Sequence, residues 1–434
     1  MKMFSVLLCS LGLLVTQTSH ASTFTTEKWQ TKNGVPVVFY PAMEVPMLDI
    51  SLAFAAGSVY DGDTYGLSAL TSHMMNQGNA GHNATEIAEA FGDTGAQFNT
   101  ETSKDMVAFT LKTLNKPDAL AQSITTFSQI INHPDFPDEA FMREKKQLLM
   151  SLKQAQESPD EIATLKFFKI IYGSHPYAHP VNGSTKTLKS LSKKQVHDFY
   201  KNYYVAANAT LVLVGAIDSQ TAHQIAEQIT QELPKGIPAP VIPKAEPLTK
   251  AETKSISFPS SQTMIRLGQI GIDHQNPNYF PLVVGNYILG GGALTSRLSI
   301  EVREKRGLTY GVTSSFVPMP GEGPFLISLS TKNDQSATAL KITEDTLHKF
   351  INDGPSQQEL AAAKQYLTGS FPLSLGSNSS IASILLRMAF YHLPDDYLTN
   401  YVSNINAVTS EQIKQAFKQQ VNPLKLSLVT VGRT

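Results

Sequence analysis

Five short segments of the chain have the apolar runs or the apolar–polar alternation that are typical of β-strands. They are Val37–Tyr40, Leu48–Phe54, Met106–Leu111, Thr263–Ile270 and Leu308–Phe316. In Met106–Leu111 the residues Val107, Phe109 and Leu111 lie on one side, which indicates a strand with one buried face. The sequence therefore predicts strands in both the first and the last third of the chain.

Apolar residues with a spacing of three to four predict four helices. They are Leu67–Met75, Ala84–Phe91, Pro281–Leu289 and Arg297–Arg306. Asn83 and Glu86 have the spacing of a capping box before the second helix, and Gly92 is expected to end it. Strands and helices mix without a regular βαβ alternation, so we expect an α+β fold with an antiparallel or mixed sheet.

The segment 191–215 is repeated at 408–432 with a constant offset of 217 residues. In both copies a candidate N-cap, Ser192 or Thr409, precedes a helical pattern and then a buried strand that ends in glycine. An ungapped match over 25 residues indicates duplication. The sequence thus predicts two similar α/β domains.

Five prolines fall within residues 234–247, and proline favours an extended, semi-rigid connection. We therefore expect an N-terminal domain over 22–233, a linker over 234–248 and a C-terminal domain over 249–434. The alternative is a proline-rich surface loop inside a single domain.

The first 21 residues resemble a signal peptide. Lys2 precedes the apolar run Met3–Val15, and small residues follow at the expected cleavage site before Ser22. Removing them leaves 413 of the 434 residues and removes Cys9, the single cysteine. The alternative, a buried N-terminal helix, fits the pattern less well. We expect an exported protein that resides in the periplasm rather than one released to the medium.

Composition excludes several classes of protein. The chain is 41% hydrophobic, which is enough for large cores, and its formal net charge of −1 lacks the basic excess of a nucleic-acid binder. A single cysteine also excludes a cysteine-rich zinc module.

Motifs of common hydrolases are missing: the sequence contains no G-x-S-x-G, no H-E-x-x-H and no H-x-x-E-H. His175 and His179 are four residues apart, but Pro176 and Pro180 argue against a helical ligand pair. His73 follows Ser72 in a predicted helix, where a lone histidine is more often packed than metal-bound.

The segment 293–313 carries the most informative chemistry. Ser296 can cap a helix that Gly307 ends, with Arg303 in the helix and Tyr310 on the following strand. Arginine and tyrosine donors together suit a polarised carbonyl or an oxyanion, although a surface arginine and a half-buried tyrosine fit the pattern equally well. The glycines Gly290, Gly291 and Gly292 fit a turn, or a loop that a peptide backbone can approach closely.

At these residues the chain resembles the pitrilysin/insulinase-type zinc peptidases. GGALTSRLSIEVREKRGLTYGV is similar to the signature of their C-terminal domain, and GLSALTSHMMNQGNAGHN is similar to the helix that carries the inverted zinc motif H-x-x-E-H. The resemblance covers nearly the whole mature chain. It implies two α/β domains joined by a linker, which agrees with the internal repeat.

The chain departs from the family at the zinc site. The family's H-x-x-E-H falls on residues 69–73, where Ala69 replaces the first ligand, Ser72 replaces the general base and only His73 remains. The third ligand falls at or near Ser151, although the earlier Glu144 is kept. One ligand of three cannot hold catalytic zinc.

The family's Arg/Tyr pair, in contrast, is intact as Arg303 and Tyr310. This combination resembles the non-catalytic subunit of heterodimeric family members. It implies a partner subunit with H-x-x-E-H and zinc, peptide substrates, and a glycine segment at 290–292 that contacts them. The alternatives are a non-enzymatic peptide-binding or scaffold protein with the peptidase fold, and an enzyme that uses another metal site.

Overall fold

The computed structural model of the chain describes residues 24–433. Within this range thirteen strands form two large sheets and one short hairpin. The strands are β1 (Glu27–Gln30), β2 (Pro36–Pro41), β3 (Met47–Phe54), β4 (Gly78–Asn79), β5 (His82–Asn83), β6 (Gln97–Thr102), β7 (Val107–Leu114), β8 (Ala209–Gly215), β9 (Thr253–Ser257), β10 (Gln262–Ile270), β11 (Thr309–Phe316), β12 (Pro324–Lys332) and β13 (Ser427–Gly432).

Fourteen α-helices accompany these strands in the described range. They are α1 (Leu67–Met74), α2 (Ala84–Thr94), α3 (Pro117–Asn132), α4 (Asp138–Gln156), α5 (Pro159–Tyr172), α6 (Thr185–Ser190), α7 (Lys193–Tyr203), α8 (Ser219–Thr230), α9 (Tyr279–Asn286), α10 (Ser336–Asp353), α11 (Gln357–Ser374), α12 (Asn378–Phe390), α13 (Tyr397–Ala407) and α14 (Ser410–Gln420). Helix α9 continues into a π-helical turn at Tyr287–Gly291, and a second π-helical segment covers Ser299–Glu304.

The two sheets repeat one topology. The first has the order β1-β2-β8-β3-β7-β6 and the second the order β11-β12-β10-β13-β9. In each sheet a parallel pair, β2–β8 or β9–β13, is followed by antiparallel pairs. The strands β9, β13, β10, β12 and β11 thus correspond to β2, β8, β3, β7 and β6. The predicted fold class, with two similar α/β halves and mixed sheets, is confirmed.

The repeated segments also agree in local detail. Ser192 and Thr409 each accept a hydrogen bond from the amide of a glutamine three residues later, and the glutamine side chain accepts from the cap amide in return. These reciprocal bonds satisfy helix N-H groups that would otherwise lack partners, which fixes the start of α7 and α14. Each helix then leads through a short 3-10 turn into a central strand, β8 or β13.

Each sheet packs its inner face on helices of its own half. In the first half, apolar side chains of α1, α3, α7 and α8 join those of the central strands in one core. In the second half α9, α10 and α14 cover the corresponding face. Burial of these apolar surfaces at about 25 cal/mol per Å² is the main stabilising contribution to each half.

The outer face of each sheet, in contrast, is covered by a helix that comes from the other half. Helix α12 of the second half lies on β3 and β8, where Leu385 and Leu386 pack with Val212 and Val214. Helix α5 of the first half lies on β10 and β13, where Phe167 packs with the valines of β13. Each half therefore supplies the helix that completes the other half's sheet.

Three predicted details are wrong. Gly92 does not end α2: the helix runs to Thr94, and Gly95, with φ +68°, takes the left-handed position at its end. The helix predicted over 281–289 begins at Tyr279 and changes to π-helical pitch at Tyr287. The helix predicted over 297–306 is mostly a π-helical segment. Side-chain periodicity cannot detect such a change in backbone hydrogen bonding.

Residues 234–248 contain neither helix nor strand, and this segment is in contact with both halves. Its Pro243 carbonyl lies 2.9 Å from Nε2 of His175, and the Ala245 amide donates to the Gly321 carbonyl at 3.2 Å. No helix in the described part of the chain is long and apolar enough to cross a membrane. The predicted signal peptide, residues 1–21, and the predicted start of the mature chain at Ser22 lie outside the described residues.

Candidate functional site

Helix α1 carries the positions where the resemblance places a zinc motif. Ala69 and Ser72 face the protein interior and are almost fully buried. Ser72 Oγ lies 2.9 Å from the Ala69 carbonyl and 2.6 Å from Thr102 Oγ1. Ser72 therefore ties α1 to the edge strand β6, and it offers neither a carboxylate base nor a strong metal ligand.

Two groups of ligand type remain nearby. His73 Nδ1 lies 4.0 Å from Oε2 of Glu144, which α4 holds in a buried position. Arg143 Nε also approaches Glu144, at 3.4 Å. Burial lowers the pKa of His73, and the Glu144 carboxylate opposes that effect. The pair is a weakly coupled contact between two helices.

Ser151, at the expected position of the third ligand, is exposed on α4, two turns after Glu144. In the described residues no group of three or more His, Cys, Asp or Glu side chains could hold a metal ion. His175 and His179 flank a 3-10 turn and form hydrogen bonds with backbone groups. The residues at positions 69, 72 and 151 do not fit a zinc ion.

Arg303 and Tyr310 lie on two elements that pack together, the π-helical segment Ser299–Glu304 and the strand β11. Ser296 Oγ accepts from the Ser299 amide at 3.4 Å, in keeping with the predicted cap. Buried Val302 and Val312 fix the inner sides of the two elements. Glu301 pairs with Lys305 and Arg306, which leaves Arg303 without an ion-pair or side-chain hydrogen-bond partner among residues 24–433.

A β-bulge sets the direction of Tyr310. The pairing of β11 with β12 shifts register between Thr309 and Val312, and Thr309 Oγ1 accepts from the Gly311 amide at 3.0 Å inside the bulge. Bulges commonly re-aim a side chain at a sheet edge. Tyr310 is 84% exposed, on the edge strand of the second sheet. The sequence predicted the strand but gave no signal for the bulge.

Of the two predicted settings for the glycines at 290–292, a turn or an open loop, the structure has a helical turn. Gly290 and Gly291 belong to the π-helical turn and Gly292 ends it. A Cβ atom on Gly290 would lie 2.5 Å from Ser314 Oγ and 2.9 Å from a methyl of Leu298. At Gly290, therefore, the backbone that approaches closely is that of the protein's own strand β11.

Sequence reasoning missed a buried polar cluster between the halves. Asp105 accepts hydrogen bonds from the hydroxyls of Tyr177 at 2.9 Å and Tyr391 at 3.2 Å, and Tyr391 belongs to the second half. Desolvation raises the pKa of Asp105 to about 6, although both phenols and Lys104 oppose the shift. Lys104 in turn donates to the His179 carbonyl at 2.8 Å. The sequence does not reveal this cluster, because a Lys-Asp pair in a turn is compatible with either a buried or an exposed position.

The fold and the site together define a two-domain α/β metallopeptidase homologue whose zinc motif is degenerate. Residues 41–185 match the model of the insulinase family (peptidase family M16), and residues 190–367 match the model of the M16 peptidase inactive domain. The chain also superposes on the crystal structure of a peptidase M16 inactive domain from Pseudomonas fluorescens with a TM-score of 0.92. The two are 38% identical, over 94% of this chain and 98% of that one. The chain belongs to the M16 peptidase family and is a homologue of the inactive-domain type.

Two curated relatives support this assignment. The uncharacterized zinc protease YmxG of Bacillus subtilis is 26% identical over 394 residues, which are 91% of this chain and 95% of the relative. The non-peptidase homolog YmxG of Helicobacter pylori is 26% identical over 404 residues, 91% of this chain and 92% of the relative. A protease from H. pylori with 20% identity and a TM-score of 0.87, aligned over 94% of this chain and 99% of that chain, shares the fold.

Proposed function

We propose that this chain is the non-zinc subunit of a heterodimeric zinc metalloendopeptidase that hydrolyses peptides. The partner would be a homologous subunit with an intact H-x-x-E-H and bound zinc. In this proposal Arg303 and Tyr310 donate hydrogen bonds to the substrate in the shared active site. The isolated chain would be inactive.

The observation that carries the proposal is the exposure of the Tyr310 side chain together with the lack of a side-chain partner for Arg303 in the described chain. Tyr310 is exposed next to a bulge on an edge strand, and Arg303, on the π-helical segment that packs on this strand, has no side-chain partner in the described chain. Donors that are already positioned and unpaired can bind a developing negative charge without first breaking other bonds. Neither side chain contributes to the core of this subunit.

The residues at the positions of the zinc motif also suit an active site to which two subunits contribute different groups. Ala69 and Ser72 point into the protein, and Ser151 offers only a hydroxyl. A water nucleophile would therefore need a metal held elsewhere, which in a heterodimer is the partner's zinc. Gly290, Gly291 and Gly292 would form part of the wall near the substrate, with Gly290 packed on β11.

The test begins with the complex. A tagged chain is purified from the periplasmic extract of its source, the associated protein is identified, and the complex is assayed with internally quenched peptides. Tyr310→Phe should lower kcat by about 10²–10³, because one oxyanion donor is lost. Tyr366→Phe, at another exposed tyrosine, is the matched control and should leave kcat unchanged.

Wild-type turnover of the Tyr310→Phe and Arg303→Ala complexes would overturn the role of the pair and favour the scaffold alternative. Zinc and peptidase activity in the isolated chain would contradict the heterodimer. We also propose that residues 1–21 are a signal peptide and that the protein is periplasmic. The N-terminus of the protein recovered from the periplasm should then be Ser22.

A further inference from the structure

A cavity of about 920 Å³ lies between α5, the loop 173–184, α6 and the strand β9 of the second half. Neither β11 nor the π-helical segment Ser299–Glu304 contributes to its lining, so it is separate from Arg303 and Tyr310. Its volume falls in the range of small-molecule sites, about 300–1,000 Å³. The proposed peptidase role makes no use of it.

The floor of the cavity is apolar. Val59, Ile162, Leu165, Ala178 and Ile256 contribute to its lining, and Ile256 comes from the second half. Several of these residues also belong to the apolar cluster that joins α5 to the second sheet. The floor is therefore part of a packed layer and can offer an apolar ligand a preformed surface.

The rim of the cavity is basic. Lys166 and Lys169 on α5 and Lys186 on α6 line it, while Asp63 is its single lining carboxylate. The Lys169 ammonium group donates to the Gly173 carbonyl at 2.9 Å. The ammonium groups of Lys166 and Lys186, in contrast, have no ion-pair or hydrogen-bond partner within residues 24–433. Lys166 is also half-buried. An unpaired ammonium group at a partly desolvated position attracts anions more strongly than one in open solvent.

The two histidines of the lining are both hydrogen-bonded to backbone groups. His175 accepts from the Tyr177 amide through Nδ1, and its Nε2 is directed to the Pro243 carbonyl at 2.9 Å. Burial lowers the pKa of His179 below its usual value, which keeps the ring neutral near pH 7. The positive charge of the cavity therefore comes from the three lysines and exceeds the negative charge of Asp63.

We propose that this cavity binds an amphiphilic anion. The apolar body of the ligand would lie on Leu165 and Ile256, and its phosphate or carboxylate oxygens would accept hydrogen bonds from Lys166 and Lys186. Charge-assisted bonds of this type are about twice as strong as neutral ones. The proposal is independent of the peptidase role, because it uses other residues.

Isothermal titration calorimetry of the full mature chain tests the site with four probes: octyl phosphate, octanoate, octyl glucoside and inorganic phosphate. At least one of the two octyl anions should bind, and the better one identifies the preferred head group. Neutral octyl glucoside and inorganic phosphate should each bind at least about tenfold more weakly. Octyl glucoside lacks the anionic head group, and inorganic phosphate lacks the apolar chain.

Two variants locate the binding. The double variant Lys166→Gln/Lys186→Gln should weaken binding of the octyl anion by about 10- to 100-fold. Lys189→Gln, on α6 but outside the lining, is the matched control and should bind as the wild type does. Leu165→Trp should remove binding by filling the floor, with thermal unfolding used to verify that each variant is folded.

Three results would overturn the proposal. They are equal affinity for octyl glucoside or inorganic phosphate, unchanged affinity in the double lysine variant, and no binding of either octyl anion at millimolar concentration. If Leu165→Trp fails to fold, the lysine variants still decide the outcome.

Discussion

Arg266 on β10 and Asp160 at the start of α5 join the two halves of the molecule through an Nη2–Oδ1 contact of 2.5 Å. The Arg266 side chain is only 6% exposed, whereas that of Asp160 is 60% exposed. Arg266 also donates through Nε to Thr164 Oγ1 at 3.2 Å. A buried guanidinium on the central part of one sheet is thus compensated by a helix from the other half.

Replacement of one partner should be costly. We expect Asp160→Ala to lower the free energy of unfolding by about 2–3 kcal/mol, because the buried guanidinium loses its carboxylate. The double variant Asp160→Ala/Arg266→Met should be more stable than Asp160→Ala alone, since no buried charge is left. Urea unfolding of the single and double variants measures both values.

Lys341→Ala provides the control for this cycle. Lys341 pairs with Asp345 one turn along an exposed helix face, and such pairs contribute about 0.3–0.5 kcal/mol. A loss as large as that of Asp160→Ala would show that the method does not resolve the buried pair. Equal stability of Asp160→Ala and wild type would contradict the role of Asp160.

The exchange of α5 and α12 predicts that neither half is stable alone. A fragment of residues 24–248 leaves Val212 and Val214 without α12, and a fragment of 249–433 leaves Val429 and Val431 without α5. Each fragment should bind a hydrophobic dye and unfold without a cooperative transition. When co-expressed, the two should associate and recover one cooperative transition. A monomeric fragment that unfolds cooperatively by itself would contradict this prediction.

Gly290→Ala should destabilise the protein. The new methyl would come within 2.5 Å of Ser314 Oγ, and overpacking of this kind costs about 1–3 kcal/mol. Gly369→Ala is the control, because Gly369 lies inside α11 with no atom within 4 Å of the added carbon. That change should raise stability by about 0.5–1 kcal/mol. Thermal unfolding of both variants distinguishes the steric effect of the added methyl group from the general effect of replacing a helical glycine by alanine.

Asp105 should make stability depend on pH. Its pKa is about 6 in the folded protein and about 3.8 in an unfolded chain, so the folded state holds the proton more tightly. The stability from this group is present below about pH 4 and is lost as the pH rises through 6, by about 3 kcal/mol in all. Asp105→Asn should therefore become more stable relative to wild type between pH 4 and pH 7.

Asp218→Asn serves as the control of opposite sign. Asp218 caps α8, and a hydrogen bond from Thr221 lowers its pKa, so its stabilising effect appears as the pH rises. Buried Asp61, whose pKa is raised to about 7, adds to the pH dependence of both wild type and variant. The comparison is therefore the difference between wild type and Asp105→Asn. A difference that stays constant from pH 4 to pH 7 would contradict the prediction.

Metal analysis of the purified chain should find well under one zinc per molecule after incubation with zinc and gel filtration. His73 and Glu144 offer two donors at most, and a stable zinc site needs three or four. His73→Ala should leave the zinc content and the melting temperature unchanged. Stoichiometric zinc that His73→Ala removes would contradict this.

Much of the fold follows from local signals in the sequence. The central strands were predicted because β-branched and apolar runs such as 211–214 suit a buried strand, and they lie at β3, β8 and β10. The cap at Asn83 was predicted from its spacing to Glu86, and both reciprocal bonds are present. These signals depend only on neighbours within a few residues.

Other features depend on distant partners and leave no local pattern. The apolar face of α5 predicts that the helix is buried but not that it covers the sheet of the other half. Arg266 and Asp105 are charged residues in strand and turn contexts that are usually exposed, and their burial follows from that packing. The bulge that exposes Tyr310 likewise depends on how β11 pairs with β12.

The helix exchange also fixes an order of events during synthesis. Helix α12 covers Asn378–Phe390, whereas the strands on which it packs, β3 and β8, end at Phe54 and Gly215. The outer side of β3 and β8 therefore stays uncovered until the chain has been synthesised as far as α12. Until then the first half exposes an apolar face on these strands, so its folding can be completed only together with that of the second half.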